Sequence, residues 1–361
     1  MITAPYMRWA KTRPRVTYDL AASGLQPVTT EDLLGDTTAK DAFDLSGPND
    51  EGYPPLREAI AARYGVTPAS VSIGGGASGA NFLACLALLE AGDDALIETP
   101  GYDPLFAAAR AAGATVVPFT RSWDRGFALD PDVVRAALTP RTKLIVLSNA
   151  HNPSGSVASG DALEQIGVMA QAIGGRVLVD EVYAEAQYRN DPPPRAAARL
   201  GPVFVSTNSL TKAYGLAGLR CGWVVAEPGI SQRIRNARDI VDGSGAFVAE
   251  RLALTAFERL DALRARARDI LSGNLAMLRD MAVSHQRLEW LEPEAGTTAF
   301  PRVRGVDDTA AFVDRLIVEH DTIVVPGRFF QAPSHIRISF GGRREMVAEA
   351  LRRLDRALSS V

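Results

Sequence analysis

The middle of the chain alternates between short apolar runs and longer stretches in which apolar residues recur at helical spacing. Because polar or glycine-containing turns bound the short runs, the pattern predicts βαβ units and a mainly parallel sheet. The predicted strands cover residues 94–98, 115–119, 143–148, 176–180, 203–206 and 221–225. The predicted helices between them cover residues 102–112, 130–138 and 160–172.

The pattern changes on both sides of this region. An Ala- and Arg-rich stretch at residues 232–279 predicts one or two long helices, with a break at Gly243-Ser244-Gly245. After about residue 281, shorter strands at 322–325 and 336–340 and one helix indicate a smaller α+β unit. We therefore predict three parts, which are an N-terminal arm with part of the small domain (1–45), a large domain (46–280) and a C-terminal small domain (281–361).

Composition narrows the class of protein. The chain has 361 residues, 47% of them hydrophobic, and a net charge of −3, which suits a globular protein with a buried core. Its arginines are spread along the sequence, so we expect neither a nucleic-acid partner nor a membrane surface. The two cysteines, Cys85 and Cys221, cannot form a disulfide framework, and the N-terminus has no signal-peptide pattern. We expect a soluble, cytoplasmic protein.

Lysine is scarce in this sequence. Only four of the 39 basic residues are lysines, namely Lys11, Lys40, Lys143 and Lys212. Any chemistry that needs a primary amine therefore has four candidates. Three of them lie in polar or turn-like contexts typical of surface lysines, and Lys212 lies in S-x-T-K before a glycine-containing turn.

A glycine-rich segment at residues 74–79 (GGGASG) matches the dinucleotide pattern G-x-G-x-x-G. It follows the apolar residues Val71 and Ile73, and Glu98 ends a strand about 20 residues later, where that pattern has its ribose-binding acid. Taken alone, these features indicate an NAD-dependent oxidoreductase. The physics of the motif requires only that a phosphate can lie at a helix N-terminus, so a phosphate site is the part of this interpretation that we retain.

Polar residues follow several of the predicted strands. The segment at 148–155 (SNAHNPSG) contains Asn152, the segment at 180–183 (DEVY) contains Asp180 and Tyr183, and the segment at 209–212 (SLTK) precedes Arg220. Because the carboxyl ends of parallel strands face one crevice, we expect these side chains to converge. The constellation closely resembles the fold type I, pyridoxal phosphate-dependent aminotransferases of class I/II, the aspartate aminotransferase superfamily. The resemblance runs from about Glu51 (EGYPPLREAIA) to Phe340 (HIRISF).

This resemblance implies an α/β fold in which a large domain with a mainly parallel, seven-stranded sheet binds pyridoxal 5′-phosphate beside a smaller α+β domain. Lys212 would form the Schiff base with the cofactor and move the substrate's α-proton. Asp180 would keep the ring nitrogen protonated, whereas the residues alone would also allow a helix N-cap there. Asn152 and Tyr183 would hydrogen-bond the ring's phenolic oxygen, although Asn152 also fits a simple turn.

The resemblance also assigns the cofactor phosphate and ring face. The implied phosphate ligands are Ala77, Ser78, Ser209, Thr211 and Arg220, a set of backbone amides, hydroxyls and a guanidinium suited to a dianion. Tyr102 resembles the aromatic residue that stacks on the cofactor ring, and a core tyrosine is the alternative.

The substrate's α-carboxylate is assigned in the same way. Arg337, flanked by isoleucines, matches the arginine that binds this carboxylate, and a strand-face arginine that reaches solvent is the alternative. Gly24 resembles the N-terminal glycine that closes over the carboxylate. His151 resembles a residue beside the site that transfers no proton. The other histidines, His285, His320 and His335, are expected to be structural or at the surface.

The sequence departs from the family in two places. Where many members have a tyrosine that reaches the neighbouring subunit's phosphate, this chain has Leu45-Ser46-Gly47. It also has no secure equivalent of the second arginine used by dicarboxylate-specific members, although Arg328 could face the pocket. Specificity for aspartate or glutamate is therefore doubtful.

The expected function is transfer of an amino group from an L-amino acid to a 2-oxo acid by a ping-pong mechanism, in a homodimer with sites at the interface. No metal is expected. The same constellation also serves β-elimination lyases, decarboxylases and cyclases, because stabilisation of the carbanion is the shared step. A nicotinamide-dependent oxidoreductase and an aminotransferase-like transcription regulator are further alternatives.

Overall fold

The protein is represented by a computed structural model that describes residues 2–35, 44–190 and 192–360. Its helices are α1 Pro5–Thr12, α2 Thr30–Leu34, α3 Pro54–Tyr64, α4 Gly76–Leu88, α5 Asp103–Ala111, α6 Pro131–Ala137, α7 Gly160–Ala172, α8 Pro228–Val241, α9 Phe247–Glu258, α10 Leu260–Ser284, α11 Ala310–His320 and α12 Arg344–Leu358. Among the described residues, no helix has both the length and the apolar content needed to cross a membrane.

The strands are short in the C-terminal part and longer in the centre. They are β1 Tyr18–Asp19, β2 Val71–Gly75, β3 Asp94–Thr99, β4 Thr115–Thr120, β5 Thr142–Ser148, β6 Arg176–Asp180, β7 Phe204–Ser209, β8 Cys221–Val225, β9 Leu288–Glu289, β10 Thr298–Ala299, β11 Arg302–Val303, β12 Thr322–Ile323, β13 Val325–Pro326 and β14 Ile336–Ser339.

Seven strands form the central sheet, in the order β2-β8-β7-β6-β5-β3-β4. Only β8 runs against its neighbours, and the other adjacent pairs are parallel. The expectation of an α/β fold with a mainly parallel seven-stranded sheet flanked by helices is confirmed.

Both faces of this sheet are buried, which explains why its central strands are almost entirely apolar. In β5, Leu144 and Val146 pack in one cluster with residues of α4, α5 and α8. Ile145 and Leu147, which point to the opposite face, pack in a second cluster with residues of α6 and α7. Helices cover both faces of these strands and exclude water from them, as is usual for parallel sheets.

The N-terminal segment contacts the C-terminal part of the chain. Strand β1 pairs in parallel with β12, with Tyr18 opposite Thr322. The other small sheets are β10-β14-β13 and β9-β11. These pairings agree with attaching the N-terminal arm to the small unit, and the proposed limits 1–45, 46–280 and 281–361 stay predictions.

Three regions differ from the sequence-based elements. The C-terminal part has two helices, α11 and α12, where one was predicted. The first 45 residues, to which the sequence analysis assigned no helix or strand, contain α1 and α2. The backbone N–H of Tyr6, in the first turn of α1, donates to Oδ2 of Asp103 at 2.8 Å, so the capping partner lies 97 positions away. The 232–279 stretch belongs to three helices, because a second break at Arg259 follows the predicted break at Gly243–Gly245. Lys40 lies outside the described residues.

One glycine sets the distance between α4 and the sheet. Gly222 of β8 lies opposite Gly74 of β2, and the first residue of α4, Gly76, crosses directly over it. A Cβ atom at Gly222 would overlap the backbone of Gly76. The start of α4 can therefore approach the sheet only because this strand residue has no side chain.

We predict that Gly222→Ala displaces the start of α4 and lowers the free energy of unfolding by about 1–3 kcal/mol, the usual cost of overpacking. Denaturant unfolding of the purified variant measures this. Gly160→Ala is the matched control, because a Cβ at that first residue of α7 meets no atom within 4 Å. Equal stability of the two variants would contradict the packing argument.

Candidate active site

A cavity of about 450 Å³ lies where β5, β6 and β7 end and α4 begins. Its wall contains all ten residues that the sequence analysis assigned to the cofactor. They are Ala77, Ser78, Tyr102, Asn152, Asp180, Tyr183, Ser209, Thr211, Lys212 and Arg220. The structure thus brings the predicted cofactor residues together at one edge of the sheet, as expected for parallel strands.

Lys212 lies in the loop that follows β7. Its Nζ donates a hydrogen bond to Oγ of Ser23 at 2.7 Å. Burial is the largest cause, together with the positive charges of Arg337 and Arg220, of a pKa for Lys212 that is lowered from its ordinary value to about 8. An amine with this pKa can both hold and release a proton near neutral pH.

Asp180 ends β6, and its carboxylate is held by two hydrogen bonds. Asn81 Nδ2 donates to Oδ2 at 2.8 Å, and the backbone N–H of Val182 donates to Oδ1 at 3.1 Å. Burial raises the pKa of Asp180, whereas these bonds and the charge of Lys212 oppose that shift. A cationic group in the cavity would further favour the ionised form.

Asn81 is a site residue that the sequence analysis missed. Its Oδ1 accepts a hydrogen bond from Oγ1 of Thr207 at 2.5 Å, which orients the amide so that its nitrogen faces Asp180. The available signal was spacing, because Asn81 lies four residues after Ala77 and therefore on the same face of α4.

The predicted phosphate ligands surround the start of α4. Its N-cap, Gly75, provides no side-chain cap for the free N–H groups of the first turn. Ser209 Oγ donates to Thr211 Oγ1 at 2.7 Å, and Arg220 Nη2 donates to the carbonyl of Gly75 at 3.0 Å. Gly76 has φ of +75°, and a Cβ there would overlap the guanidinium of Arg220. Amides, hydroxyls and a guanidinium at one point suit a phosphate group.

Arg337, on β14, is completely buried next to this cavity. Its Nη2 donates to Tyr6 Oη at 2.5 Å and to the carbonyl of Ala21 at 3.1 Å, and its Nη1 donates to Asn152 Oδ1 at 3.3 Å. The guanidinium also lies close to the rings of Tyr6 and Phe330, 5.0 and 4.9 Å from their centroids.

No acid among the described residues neutralises Arg337. All its hydrogen-bond acceptors are neutral and its Nε has no partner, and it forms no ion pair with any acid in residues 2–35, 44–190 or 192–360. A buried cation without a counter-ion is unfavourable, so this position favours the binding of an anion.

The two tyrosines of the cavity make contacts with the N-terminal segment. Tyr102 donates from Oη to Sδ of Met7 at 3.3 Å, and Tyr183 donates from Oη to the carbonyl of Ser23 at 3.1 Å. Ser23 therefore contacts both Tyr183 and Lys212, and the sequence analysis missed it. Its neighbour Gly24 lies outside the cavity wall, where a Cβ would be 3.7 Å from the carbonyl oxygen of Thr211.

The sequence analysis also discussed three other basic residues. Lys11 is exposed, as expected of an ordinary surface lysine, and is also part of the cavity wall. Arg328 and His335 line a separate cavity of about 760 Å³, so Arg328 does not face the predicted cofactor residues. His335 is buried and stacks on Phe300 with ring centroids 4.7 Å apart, which agrees with a structural residue.

His151 lies in the loop after β5 and does not line the cavity. Its side chain is buried, with Nε2 2.8 Å from the carbonyl of Pro100 and Nδ1 2.6 Å from Ser154 Oγ. Burial lowers its pKa well below the ordinary value, so the ring is neutral. These contacts join the loop after β5 to the segment that contains Tyr102.

Comparison with known families gives this geometry its context. The family described as aminotransferase class I and II matches residues 35–354. The chain belongs to this family. The enzyme is accordingly a pyridoxal phosphate-dependent aminotransferase, and the family match replaces the dinucleotide interpretation of residues 74–79.

Several known proteins resemble this aminotransferase along most of its length. Capreomycidine synthase from Streptomyces vinaceus is 31% identical over 99% of this chain and 94% of its own. An arginine–pyruvate transaminase from Pseudomonas aeruginosa is 30% identical over 83% of this chain and 79% of its own. The crystal structure of a PLP-dependent aminotransferase from Streptococcus suis superposes with a TM-score of 0.91 at 27% identity, covering 98% of this chain and 96% of the other.

The residues of the cavity fit pyridoxal 5′-phosphate. An amine with a lowered pKa suits its aldehyde, an orientated carboxylate suits its ring nitrogen, and the start of α4 with Arg220 suits its phosphate. The aminotransferase therefore has groups of the right chemistry for each functional part of its cofactor.

We predict that cofactor binding to the apoenzyme depends on the protonation of Lys212. Because burial disfavours the charged amine, the reactive neutral form should prevail above about pH 8 rather than above the ordinary lysine value. The rate at which the cofactor becomes bonded to Lys212, followed by absorbance, should rise with pH with a midpoint near 8. Lys212→Ala should abolish this signal. A midpoint above 10 would contradict the buried setting.

Proposed function

We propose that this enzyme moves the amino group of an L-amino acid to a 2-oxo acid in two half-reactions at one site, a ping-pong mechanism. The observation that carries the proposal is the amine of Lys212, with a pKa lowered to about 8, in the same cavity as the buried carboxylate of Asp180. When bound, pyridoxal phosphate supplies an aldehyde and a ring that accepts the electron pair released at the substrate's Cα.

In this proposal, Lys212 is both the attachment point of the cofactor and the proton carrier. Once the substrate amine has displaced it, Nζ would take the proton from Cα and deliver it to the carbon that was the cofactor's aldehyde carbon. A pKa near 8 lets the same nitrogen act as base and as acid near neutral pH. Oγ of Ser23, which accepts from Nζ at 2.7 Å, limits the positions available to the freed amine.

Asp180 would hold the ring nitrogen, with Asn81 fixing the direction of its carboxylate. Asn152 and Tyr183 would hold the ring oxygen, and Tyr102 would cover one ring face. The phosphate would be held by Ala77, Ser78, Ser209, Thr211 and Arg220. All of these residues except Asn81 line the cavity.

Arg337 would bind the substrate's α-carboxylate, with Gly24 in the segment beside it. The carboxylate would supply the charge that the neutral partners of Arg337 lack, and a guanidinium offers two parallel donors to a planar anion. Tyr6 and Asn152 hold the guanidinium in place through Nη2 and Nη1. Substrate binding would thus relieve an electrostatic cost already present in the free protein.

A second candidate function deserves a test because of one relative. The Streptomyces vinaceus protein that aligns with 99% of this chain is named a synthase, not an aminotransferase. The same proton abstraction can be followed by elimination, decarboxylation or ring closure. We place transamination first because the chain's family is that of aminotransferases.

The decisive experiment offers the holoenzyme a panel of L-amino acids, beginning with L-arginine and pyruvate in view of the Pseudomonas aeruginosa relative. Transamination should convert the bound cofactor to its amino form in single turnover, with a near-ultraviolet band, and release the matching 2-oxo acid. Lys212→Ala should abolish turnover. Release of pyruvate or carbon dioxide without the amino form would instead establish a lyase or decarboxylase, and a cyclic amino-acid product would establish a cyclase.

Replacement of Arg337 tests its assignment separately. Removing one partner of a buried charge pair costs roughly 2–5 kcal/mol, so Arg337→Ala should raise the KM of the amino donor by about 100-fold. Arg328→Ala is the matched control, because Arg328 lines the separate cavity and should leave KM unchanged. Equal effects of the two substitutions would contradict the assignment.

We also propose a homodimer. Leu45 and Ile240 are 85% and 82% exposed, which is unusual for aliphatic side chains of this size. Their segments are joined by the hydrogen bond from Asn49 Nδ2 to the carbonyl of Gly245 at 2.8 Å. Arg220, at the proposed phosphate site, is also exposed, so a second copy could cover this edge of the site.

Sedimentation should give a dimer for the wild-type chain, and Leu45→Asp with Ile240→Asp should weaken it because a charge would enter an apolar contact. Val318→Asp is the control, since Val318 is 83% exposed on α11 and lies outside these segments. A fully active wild-type monomer would refute the dimer.

A further inference from the structure

Glu98, at the end of β3, is the acid that the dinucleotide pattern would place on a ribose. In the structure it is completely buried and accepts hydrogen bonds from Ser148 and Arg121. Its Oε1 accepts from both the backbone N–H and the Oγ of Ser148, each at 2.6 Å. Its Oε2 accepts from Nη1 of Arg121 at 2.9 Å. The carboxylate therefore joins the ends of β3 and β5 from within the protein.

Arg121 extends this connection to a third segment. Its side chain is 1% exposed, and all three of its nitrogens donate. Besides the bond to Glu98, Nε donates to the carbonyl of Phe127 at 2.6 Å and Nη2 donates to Oγ of Ser156 at 2.8 Å. Ser156 lies at the far end of the loop that begins after Ser148. The ion pair therefore holds both ends of this loop.

This loop contains Asn152, which lines the cavity of the candidate active site. The backbone N–H of Asn152 donates to Oγ of Ser148 at 2.9 Å, and its Oδ1 accepts from Nη1 of Arg337 at 3.3 Å. A continuous series of hydrogen bonds thus runs from Arg121 through Glu98, Ser148 and Asn152 to Arg337. This series connects the buried Glu98–Arg121 ion pair to the guanidinium of Arg337, which has no acidic partner among the described residues.

We propose that the Glu98–Arg121 pair is a positioning pair for the aminotransferase site, which sets the place of Asn152 against Arg337 through Ser148. The proposal rests on the function proposed above for Asn152 and Arg337. Neither Glu98 nor Arg121 lines the cavity that holds the predicted cofactor residues. Both act through Ser148 and the loop it begins, without touching substrate or cofactor.

The chemistry of the pair explains why a carboxylate is needed at this position. Three donors converge on Glu98, and an ionised carboxylate has acceptor sites for all of them. A glutamine amide would have to turn its own N–H₂ group toward Arg121 or toward Ser148, because both sides present donors. Burial raises the pKa of Glu98, while the charge of Arg121 and the bonds from Ser148 oppose that shift.

A buried ion pair is a weak source of stability, since the cost of removing two charges from water offsets their attraction. Its hydrogen bonds nevertheless impose direction, because each donor must point at a defined oxygen lone pair. The pair at Glu98 is therefore better suited to fixing a loop than to stabilising the fold.

The test compares Glu98→Gln with Asp94→Asn. Asp94 begins the same strand, is equally buried, and accepts from Thr139 Oγ1 at 2.5 Å and from Arg141. It lies four residues from Glu98, or about 13 Å along the strand, at the end away from the cavity. The two substitutions remove the same kind of charge, and only Glu98→Gln interrupts the series that reaches Arg337.

The first readout is hydrogen–deuterium exchange of residues 148–156 in the apoenzyme, which requires no cofactor. Glu98→Gln should accelerate exchange of this loop by about tenfold, the effect of losing roughly one hydrogen bond, and Asp94→Asn should leave it unchanged. The second readout is turnover by the holoenzyme. Glu98→Gln should raise the KM of the amino donor by about tenfold with a smaller change in kcat, because Arg337 would lose its oriented partner.

Ser148→Ala provides a second variant in case Glu98→Gln does not fold. It removes only the hydroxyl that links Glu98 to the backbone N–H of Asn152, and it should change exchange and KM in the same direction. Identical behaviour of Glu98→Gln and Asp94→Asn, or no effect of Ser148→Ala, would overturn the positioning role. If the wild-type enzyme fails to transaminate any donor, the proposed function fails, while the exchange comparison still decides this inference.

Discussion

Arg337 is enclosed completely by protein, yet every group that accepts a hydrogen bond from it is neutral. Those acceptors come from α1, from the segment before Ser23 and from the loop after β5, so three distant parts of the chain meet around one unpaired charge. A cation buried without an acidic partner is energetically unfavourable, and the arrangement of the site depends on this constraint. A bound α-carboxylate would remove the unfavourable energy. If a carboxylate of the protein itself neutralised Arg337, the guanidinium would have no such preference for a substrate carboxylate.

The same positive field acts on Lys212. Burial is the main cause of its lowered pKa, and the charges of Arg337 and Arg220 add to it. Arg337 and Arg220 each have a proposed anionic partner. It is the substrate carboxylate for Arg337 and the cofactor phosphate for Arg220. Binding of both anions would reduce the repulsion on the amine, so occupancy of the site and the protonation state of Lys212 are coupled. Asp180, held by Asn81, lines the same cavity.

The sequence analysis located most of the fold and of the cavity. Six of the seven strands of the central sheet, all but β2, were predicted to within a few residues, because a parallel sheet covered on both faces requires nearly continuous apolar runs. Polar residues just after those runs could be assigned to one crevice for the same reason. It missed α1, whose capping partner Asp103 is distant in sequence, and it missed Ser23 and Asn81, whose contacts with Lys212 and Asp180 arise only when separate segments pack together.

Glu98 shows where a local pattern stops being informative. The spacing from residues 74–79 to Glu98 fits a dinucleotide site, and only the packing of β3 against β5 reveals that the carboxylate faces Ser148 and Arg121 instead. By itself, the sequence determined the alternation of strands and helices, the single lysine in a setting that uses an amine, and the family resemblance, since these depend on residues close together in the chain. The tertiary structure alone decided which charges are paired, because the energy of a buried charge depends on the neighbours that folding brings to it.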